Sequence, residues 1–383
     1  MKDKLPINLE VLKWARTSLS FSLEYVAHRL SKDKQEIESW EAGKTSPTYP
    51  QLERLAHEIY KRPVAVFFFP SVPEEGTPKT EFRTLPDKLV DELPPEIIKL
   101  YRKAKLFQIY LEELFEGEKP AKTSLLDTFE LNQNIHFASI TKAIRMALGV
   151  TIVEQSKWRS TEIAFKKWRQ ALETNGVFVF KDAFKNDDYS GFCLYDEKYP
   201  LIYVNNSMPD SRQVFTLFHE LGHLLYHSGG IDFRSREAVR SFQGYFQNVE
   251  VSCNRFANEL LIPQEELNSF RPSISESHFK TLAEHFSVSR EVILRNYLDR
   301  GIIDADYYEK MTEKWNRQVK NKRSGGNSYN TKKAYLGDNY INLAFGKYYQ
   351  NKITLDSLSE YLTVKPKHIS TFEHYAFRMG MSR

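Results

Sequence analysis

Phe218-His219-Glu220-Leu221-Gly222-His223 decides how this 383-residue chain is read. Residues four apart on an α-helix lie one turn above each other, so His219 and His223 point the same way and Glu220 sits beside them. Two imidazoles on one helical face are metal ligands by type and spacing, and an adjacent carboxylate can take a proton from an activated water. The flanking sequence is helical in pattern: Val214, Phe215, Leu217, Phe218, Leu221, Leu224 and Leu225 make a broad apolar face, and Ser211 or Asp210 can cap the start. The face puts Glu220 at the rim of a packed core.

Two histidines do not complete a site. The long zinc pattern with a further histidine six residues on fails, because that position is Gly229. His227 keeps the four-residue spacing, but three histidines on successive turns of a straight helix cannot converge on one tetrahedral ion, so it reads as core or as support for the ligands. A better third ligand lies on a second helix, Glu250-Val251-Ser252-Cys253-Asn254-Arg255-Phe256-Ala257-Asn258-Glu259-Leu260-Leu261-Ile262-Pro263. Its apolar stripe carries Cys253, Phe256, Ala257, Leu260 and Leu261, and Glu250 falls on the same side. Packed on the first helix, it aims a carboxylate at the imidazole pair. His219, His223 and Glu250 with one open position form the ligand set of a catalytic Zn2+ site rather than a structural one, though manganese or iron suits the same donors.

His-Glu-Leu-Gly-His, followed by Glu-x-x-Cys-Asn-x-Phe-Ala-x-x-Leu-Leu-x-Pro, resembles the ImmA/IrrE family of bacterial metallopeptidases. Gly191-Phe192-Cys193 and Pro200-Leu201-Ile202-Tyr203-Val204-Asn205-Asn206 resemble that family's strands, and the likeness runs over about 176–300. It implies His219, His223 and Glu250 as zinc ligands and Glu220 as general base, as the spacing does. Zinc acidifies water and polarises a peptide carbonyl, while Glu220 moves the proton from water to the leaving amine. For the oxyanion, Tyr189, Tyr226 and His227 are near in sequence, but each reads better as packing. The strand at 201–204 is either an exposed edge that takes an extended peptide as an added strand or an interior strand.

The N-terminal 70 residues show five short apolar-periodic segments, at 9–17, 22–30, 33–41, 49–60 and 63–69. Ser22 begins one helix, Ala27 is small enough for a helix crossing, and Asp33 with Glu36 has the capping-box spacing. Ile37 to Thr48 resembles the end of the helix-turn-helix in XRE-family repressors. That likeness implies DNA contacts from Lys34, Gln35, Ser39 and Lys44. Residues 1–70 hold 11 Lys plus Arg against 9 Asp plus Glu, a weak electrostatic footprint. A docking or dimerisation module therefore stays open beside sequence-specific DNA binding.

The composition, 41% hydrophobic with a net charge of +4, suits two or three folded domains. No apolar run approaches a membrane span and the start lacks a secretion signal, so the chain reads as cytoplasmic, nucleoid-associated if it holds DNA. Cys193 and Cys253 suit a reducing compartment and read as small core residues. Pro70-Ser71-Val72-Pro73 opens a linker at 71–84 that includes Glu81-Phe82-Arg83-Thr84, a signature resembling one that follows such helix-turn-helix modules. Helices at 96–115, 140–148 and 154–173 with core tryptophans Trp158 and Trp168 precede strands at 176–181, 190–195 and 201–204. A helix-turn-helix rhythm recurs at 279–293, with Val288 and Ile293 inward, and reads as structural. Residues 303–383 carry 14 Lys plus Arg against 8 Asp plus Glu, with a loop at 320–327, and this surface reads as solvated before it reads as a nucleic-acid or acidic-partner contact.

The chain is thus expected to be α+β and predominantly helical. An all-α helix-turn-helix domain (1–70) and linker (71–84) lead to a zincin-like metallopeptidase domain with a small sheet (85–302) and a basic helical C-terminal region (303–383). The expected function is a transcription-linked zinc endopeptidase, conditionally active, that binds DNA or a DNA-bound regulator and cleaves a repressor or a co-encoded antitoxin-like protein. Homodimerisation fits this role. The rival expectation is a non-catalytic DNA-binding regulator or antitoxin with a structural zinc.

Overall fold

The computed structural model describes residues 5–19, 21–60, 62–73, 90, 93–132, 135–233, 244–318 and 327–378. The signature at Glu81 to Thr84, most of the linker and most of the loop at 320–327 lie outside the described residues. Two compact units result, one of Met1–Thr80 with Pro86–Arg102 and one of Glu81–Leu85 with Lys103–Arg383.

In the first unit, α1 (Leu9–Thr17) starts where the Asn8 side chain accepts from the Glu10 and Val11 N–H groups, and α2 (Leu23–Leu30) starts on Ser22 in the same way. Ser31, in the left-handed region at φ 55°, turns the chain into α3 (Lys34–Glu41). The apolar face common to these helices is buried through Val11, Leu12, Ala15, Val26, Ala27, Leu30, Ile37 and Trp40. Arg16 on α1 grips Glu41 on α3 through two hydrogen bonds of 2.6 and 2.8 Å, so the helices are also tied by a bidentate ion pair. The capping box expected at Asp33 and Glu36 does not form: Asp33 makes no side-chain cap and the Glu36 carboxylate turns to Lys32, 3.1 Å away. The segment expected as one helix at 49–60 begins as α4 (Tyr49–Glu53), where Gln51 accepts from the Thr48 N–H, and widens into a π-helix over Arg54–Tyr60. A 3-10 turn, Val64–Phe68, follows.

α5 (Pro95–Leu114) runs from the first unit into the second. The second unit continues with α6 (Leu125–Thr128), α7 (Phe137–Ala147), α8 (Ile152–Trp158) and α9 (Thr161–Thr174), then β1 (Phe178–Asp182), β2 (Tyr189–Leu194) and β3 (Leu201–Asn205). α10 (Asp210–Leu225) carries the His219 motif and is followed by β4 (Gly230–Phe233) and α11 (Tyr245–Leu261). The sheet order is β1-β3-β2-β4, with β1 parallel to β3 and the other pairs antiparallel. β3 is therefore interior, paired on both sides, and the edge reading of 201–204 is excluded. All of β2 and β3 is buried, as strands covered on both faces must be.

Trp168 on α9 is fully buried and meets Phe218 edge to face at 4.8 Å, backing α10 on the side away from its ligands. Trp158 packs against Trp168 in turn. Gln155 donates to the carbonyls of Leu261 and Phe286 and accepts from Arg145, so one buried side chain joins α8 to the end of α11 and to α13 below. Beyond α12 (Gln264–Leu267), the rhythm at 279–293 is the pair α13 (Glu276–Phe286) and α14 (Arg290–Asp299), turning at Ser287 with φ 51°. Ile293 is fully buried and the Ser287 hydroxyl donates to the Gln155 carbonyl, so these helices belong to the core. The chain ends in α15 (Ala305–Gln318), α16 (Ser328–Leu336), α17 (Asp338–Tyr349), α18 (Leu355–Tyr361) and α19 (Ile369–Arg378). No helix among the described residues is long and apolar enough to cross a membrane.

Candidate metal centre

α10 begins at Asp210 without a side-chain cap. Pro209 occupies the cap position and the Gln213 amide side chain donates to the Met208 carbonyl instead, leaving the Asp210 carboxylate in the first turn, where the helix dipole favours it. Neither capping residue expected from the sequence caps. Downstream, α10 lies directly on α11. A Cβ built at Gly222 would come within 3.0 Å of Cys253 Sγ and 3.2 Å of its Cα, so the crossing needs glycine on one side and a small residue on the other. That close approach gives Cys253 its packing role and sets Glu250 one turn away from it, above the imidazoles.

His219, His223 and Glu250 come together as the spacing predicts. The two Nε2 atoms are 3.2 Å apart, His223 Nε2 is 3.2 Å from one Glu250 oxygen and His219 Nε2 is 3.4 Å from the other. Bonds of about 2.0–2.1 Å to a tetrahedral ion put neighbouring donor atoms roughly 3.3–3.5 Å apart, and each histidine meets a different Glu250 oxygen near that spacing, so the cluster could hold a metal ion. The cluster's electrostatics agree. Burial opposes a charge on Glu250, but His223 and His219 overturn it and hold the carboxyl well below its usual range. Burial likewise opposes an imidazolium at His219, while the Asp232 and Glu250 carboxylates raise it to about 9. Positive charge is what the interior of this triangle favours, and a proton and a divalent cation compete for it.

Glu220 is fully buried beside the ligands. Burial pushes its carboxyl up to about 7, against the pull of the His223 and His219 imidazoles. Cys193 on β2 lies next to it, and burial with the Glu220 charge drives that thiol well above its usual range, so Cys193 is an inert lining group. Tyr195 on the following turn stacks on His227 with ring centroids 5.3 Å apart. His227 itself is the residue that ends α10, at φ 53° and exposed, so it is neither core nor a ligand support. Tyr226 bonds to Ser252, and Tyr189 is a buried strand residue.

β4 is the element the sequence reading missed. Gly230 lies so close to His223 that a Cβ there would fall 2.4 Å from the ring, which makes the strand backbone the wall that fixes the imidazole. Two residues on, the buried Asp232 accepts two hydrogen bonds from Arg212, at 2.6 and 2.8 Å, and one from Thr216 at 2.9 Å, tying the strand to the first turns of α10. A short turn followed by Gly-Ile-Asp-Phe was the only signal available. Gly230→Ala should displace His223 and weaken zinc binding by roughly 10–100-fold, the effect of disturbing a group that orients a ligand. Titration against a chromophoric chelator measures this, and wild-type affinity in the variant would refute the wall.

Of the residues expected to face DNA, Lys34, Gln35 and Lys44 are exposed. Lys34 is held by Glu24 at 2.6 Å, and the Ser39 hydroxyl donates to the Glu36 carbonyl while sharing a short hydrogen bond with Thr45. Ser39 thus closes the turn after α3.

Two histidines and a glutamate on crossed helices, with a buried glutamate beside the first histidine, make a cluster that could hold a metal ion in the manner of zincin-like sites. Residues 172–297 match the IrrE N-terminal-like domain, a peptidase family, and residues 12–59 match the helix-turn-helix family. The chain thus joins an XRE-type helix-turn-helix segment to an IrrE/ImmA-like peptidase domain, an architecture that suggests a DNA-binding, protease-like regulator. No curated protein matches the chain.

Proposed function

We propose that the chain is a zinc endopeptidase coupled to transcription, which binds DNA or a DNA-bound regulator and cuts a helix-turn-helix repressor or a co-encoded antitoxin-like protein. The observation that carries this reading is the donor triangle with Glu220 beside it. A structural site has no use for a second buried acid at that position. His219, His223 and Glu250 would hold the zinc ion, which when bound lowers the pKa of water and polarises a carbonyl. Glu220 accepts the proton of the attacking water and delivers it to the leaving amine, a role that its raised pKa suits. β4 is the outer strand of the sheet among the described residues and lies beside His223, the position from which an extended peptide could be added as a further strand.

One observation favours the rival, non-catalytic reading. His219, Glu220, His223 and Glu250 are at most 2% exposed, so a substrate reaches them only after rearrangement. The same burial supports a conditional peptidase. Incubating the purified chain with the regulators encoded beside it, with and without a chelator, separates the two. A single chelator-sensitive cut, located by mass spectrometry, is the expected result; intact regulators under every condition, with the chain still binding them, would establish the non-catalytic role.

A further inference from the structure

The basic C-terminal region concentrates free charge at one open cleft of about 320 Å3, and its walls are Lys332 and Tyr329 on α16 and Thr363, Lys365, Lys367 and His368 on the link from α18 to α19. No carboxylate lines it. Elsewhere in this region lysines find acids: Lys347 and Lys352 converge on Glu116, Lys333 reaches Asp338 and Lys314 reaches Glu276. Lys365 and Lys367 are exposed and, among the described residues, make no ion pair. Lys332 spends its ammonium on a neutral acceptor, the Thr363 hydroxyl at 2.6 Å. Burial and the Lys103 charge lower the Lys332 pKa, and Asp182, which pulls it back, is already engaged by Lys103.

Thr363 is itself informative. It ends α18 in the left-handed region at φ 50°, a place where glycine is cheapest and a β-branched residue is strained. What threonine adds there is the hydroxyl that holds Lys332 in the cleft.

We propose that this cleft binds the phosphodiester backbone of nucleic acid, as a contact independent of base sequence. The cleft is open and its cations stand on both walls, which suits a running polyanion. Lysines supply point charges to phosphates, and the Thr363 hydroxyl, which accepts from Lys332, can still donate its own hydrogen. Base stacking is not the mode, because the Tyr329 ring already stacks on Tyr375 at 5.2 Å. The helix-turn-helix match at 12–59 suggests DNA binding and so favours DNA as the polymer. The proposal does not depend on the peptidase activity.

Fluorescence anisotropy of the full-length chain on a labelled duplex of random sequence tests it. Lys365→Gln/Lys367→Gln alters only exposed side chains and should leave the melting curve unchanged. Each phosphate contact contributes a slope of about −0.9 in log affinity against log salt, so losing two should flatten the slope by roughly 1.8 and weaken binding at 0.1 M salt by roughly 10–60-fold. Lys365→Arg/Lys367→Arg should restore both. Unchanged affinity and slope in the glutamine variant would overturn the site, and so would a variant that loses binding to a phosphoserine peptide while holding DNA as before.

Discussion

Glu220→Gln is expected to keep zinc at one ion per chain while lowering peptide hydrolysis by roughly 10²–10⁴, the usual contribution of a positioned general base. The substitution is nearly isosteric in a site with no spare volume, since Glu220 is fully buried between Cys193 and the ligands. Its amide cannot accept a proton from water, yet the donor atoms of His219, His223 and Glu250 are untouched. Metal content by elemental analysis and cleavage by gel densitometry must therefore part company. Cleavage at the wild-type rate would end the assignment of Glu220 as base, and loss of zinc together with activity would make it a ligand instead.

The two helices that make the centre were legible because both signals are local and strong. Four-residue spacing fixes which side chains share a face, and the stripe through Cys253 and Ala257 pointed Glu250 at that face; the close approach of Gly222 to Cys253 is the packing that makes it true. The N-terminal helices were legible for the same reason, nearly to the residue. The sheet was harder. Its three longer strands show in the pattern of β-branched and aromatic residues, but order β1-β3-β2-β4 is a matter of long-range pairing that no local pattern carries. β4 has only four residues, too few for periodicity to register, so Gly230 and Asp232 went unseen although one walls His223 and the other braces α10. Side-chain caps failed where a competitor lay nearby. Lys32 took Glu36 from the box at Asp33, and Pro209 displaced the caps expected on α10. Ser39 also closes the turn at Thr45, a local use of its hydroxyl that the sequence does not display.

Removing a ligand tests the centre from the side of stability. In the wild-type chain, zinc at about a thousand times its dissociation constant should stabilise the second unit by about 4 kcal/mol, since it binds the folded triangle and not the open chain. For a unit of this size that is a rise in Tm of roughly 6–8 °C. Glu250→Gln should abolish the rise, because it takes the only anion from a triangle whose other two donors are neutral when they ligate. The metal-free chain must show the opposite pH sense from the loaded one. The His219 imidazolium, raised to about 9 by Asp232 and Glu250, adds stability that is fully present below the ordinary histidine range and is lost as pH climbs through 9. Zinc competes with that proton, so its affinity, and the Tm increment it brings, should grow as pH rises over the same interval. Scanning calorimetry of wild-type and Glu250→Gln chains with and without zinc, from pH 6 to 9, reads both effects at once. An equal zinc increment in the variant, or one that shrinks with rising pH in the wild type, would show that His219, His223 and Glu250 do not hold the metal.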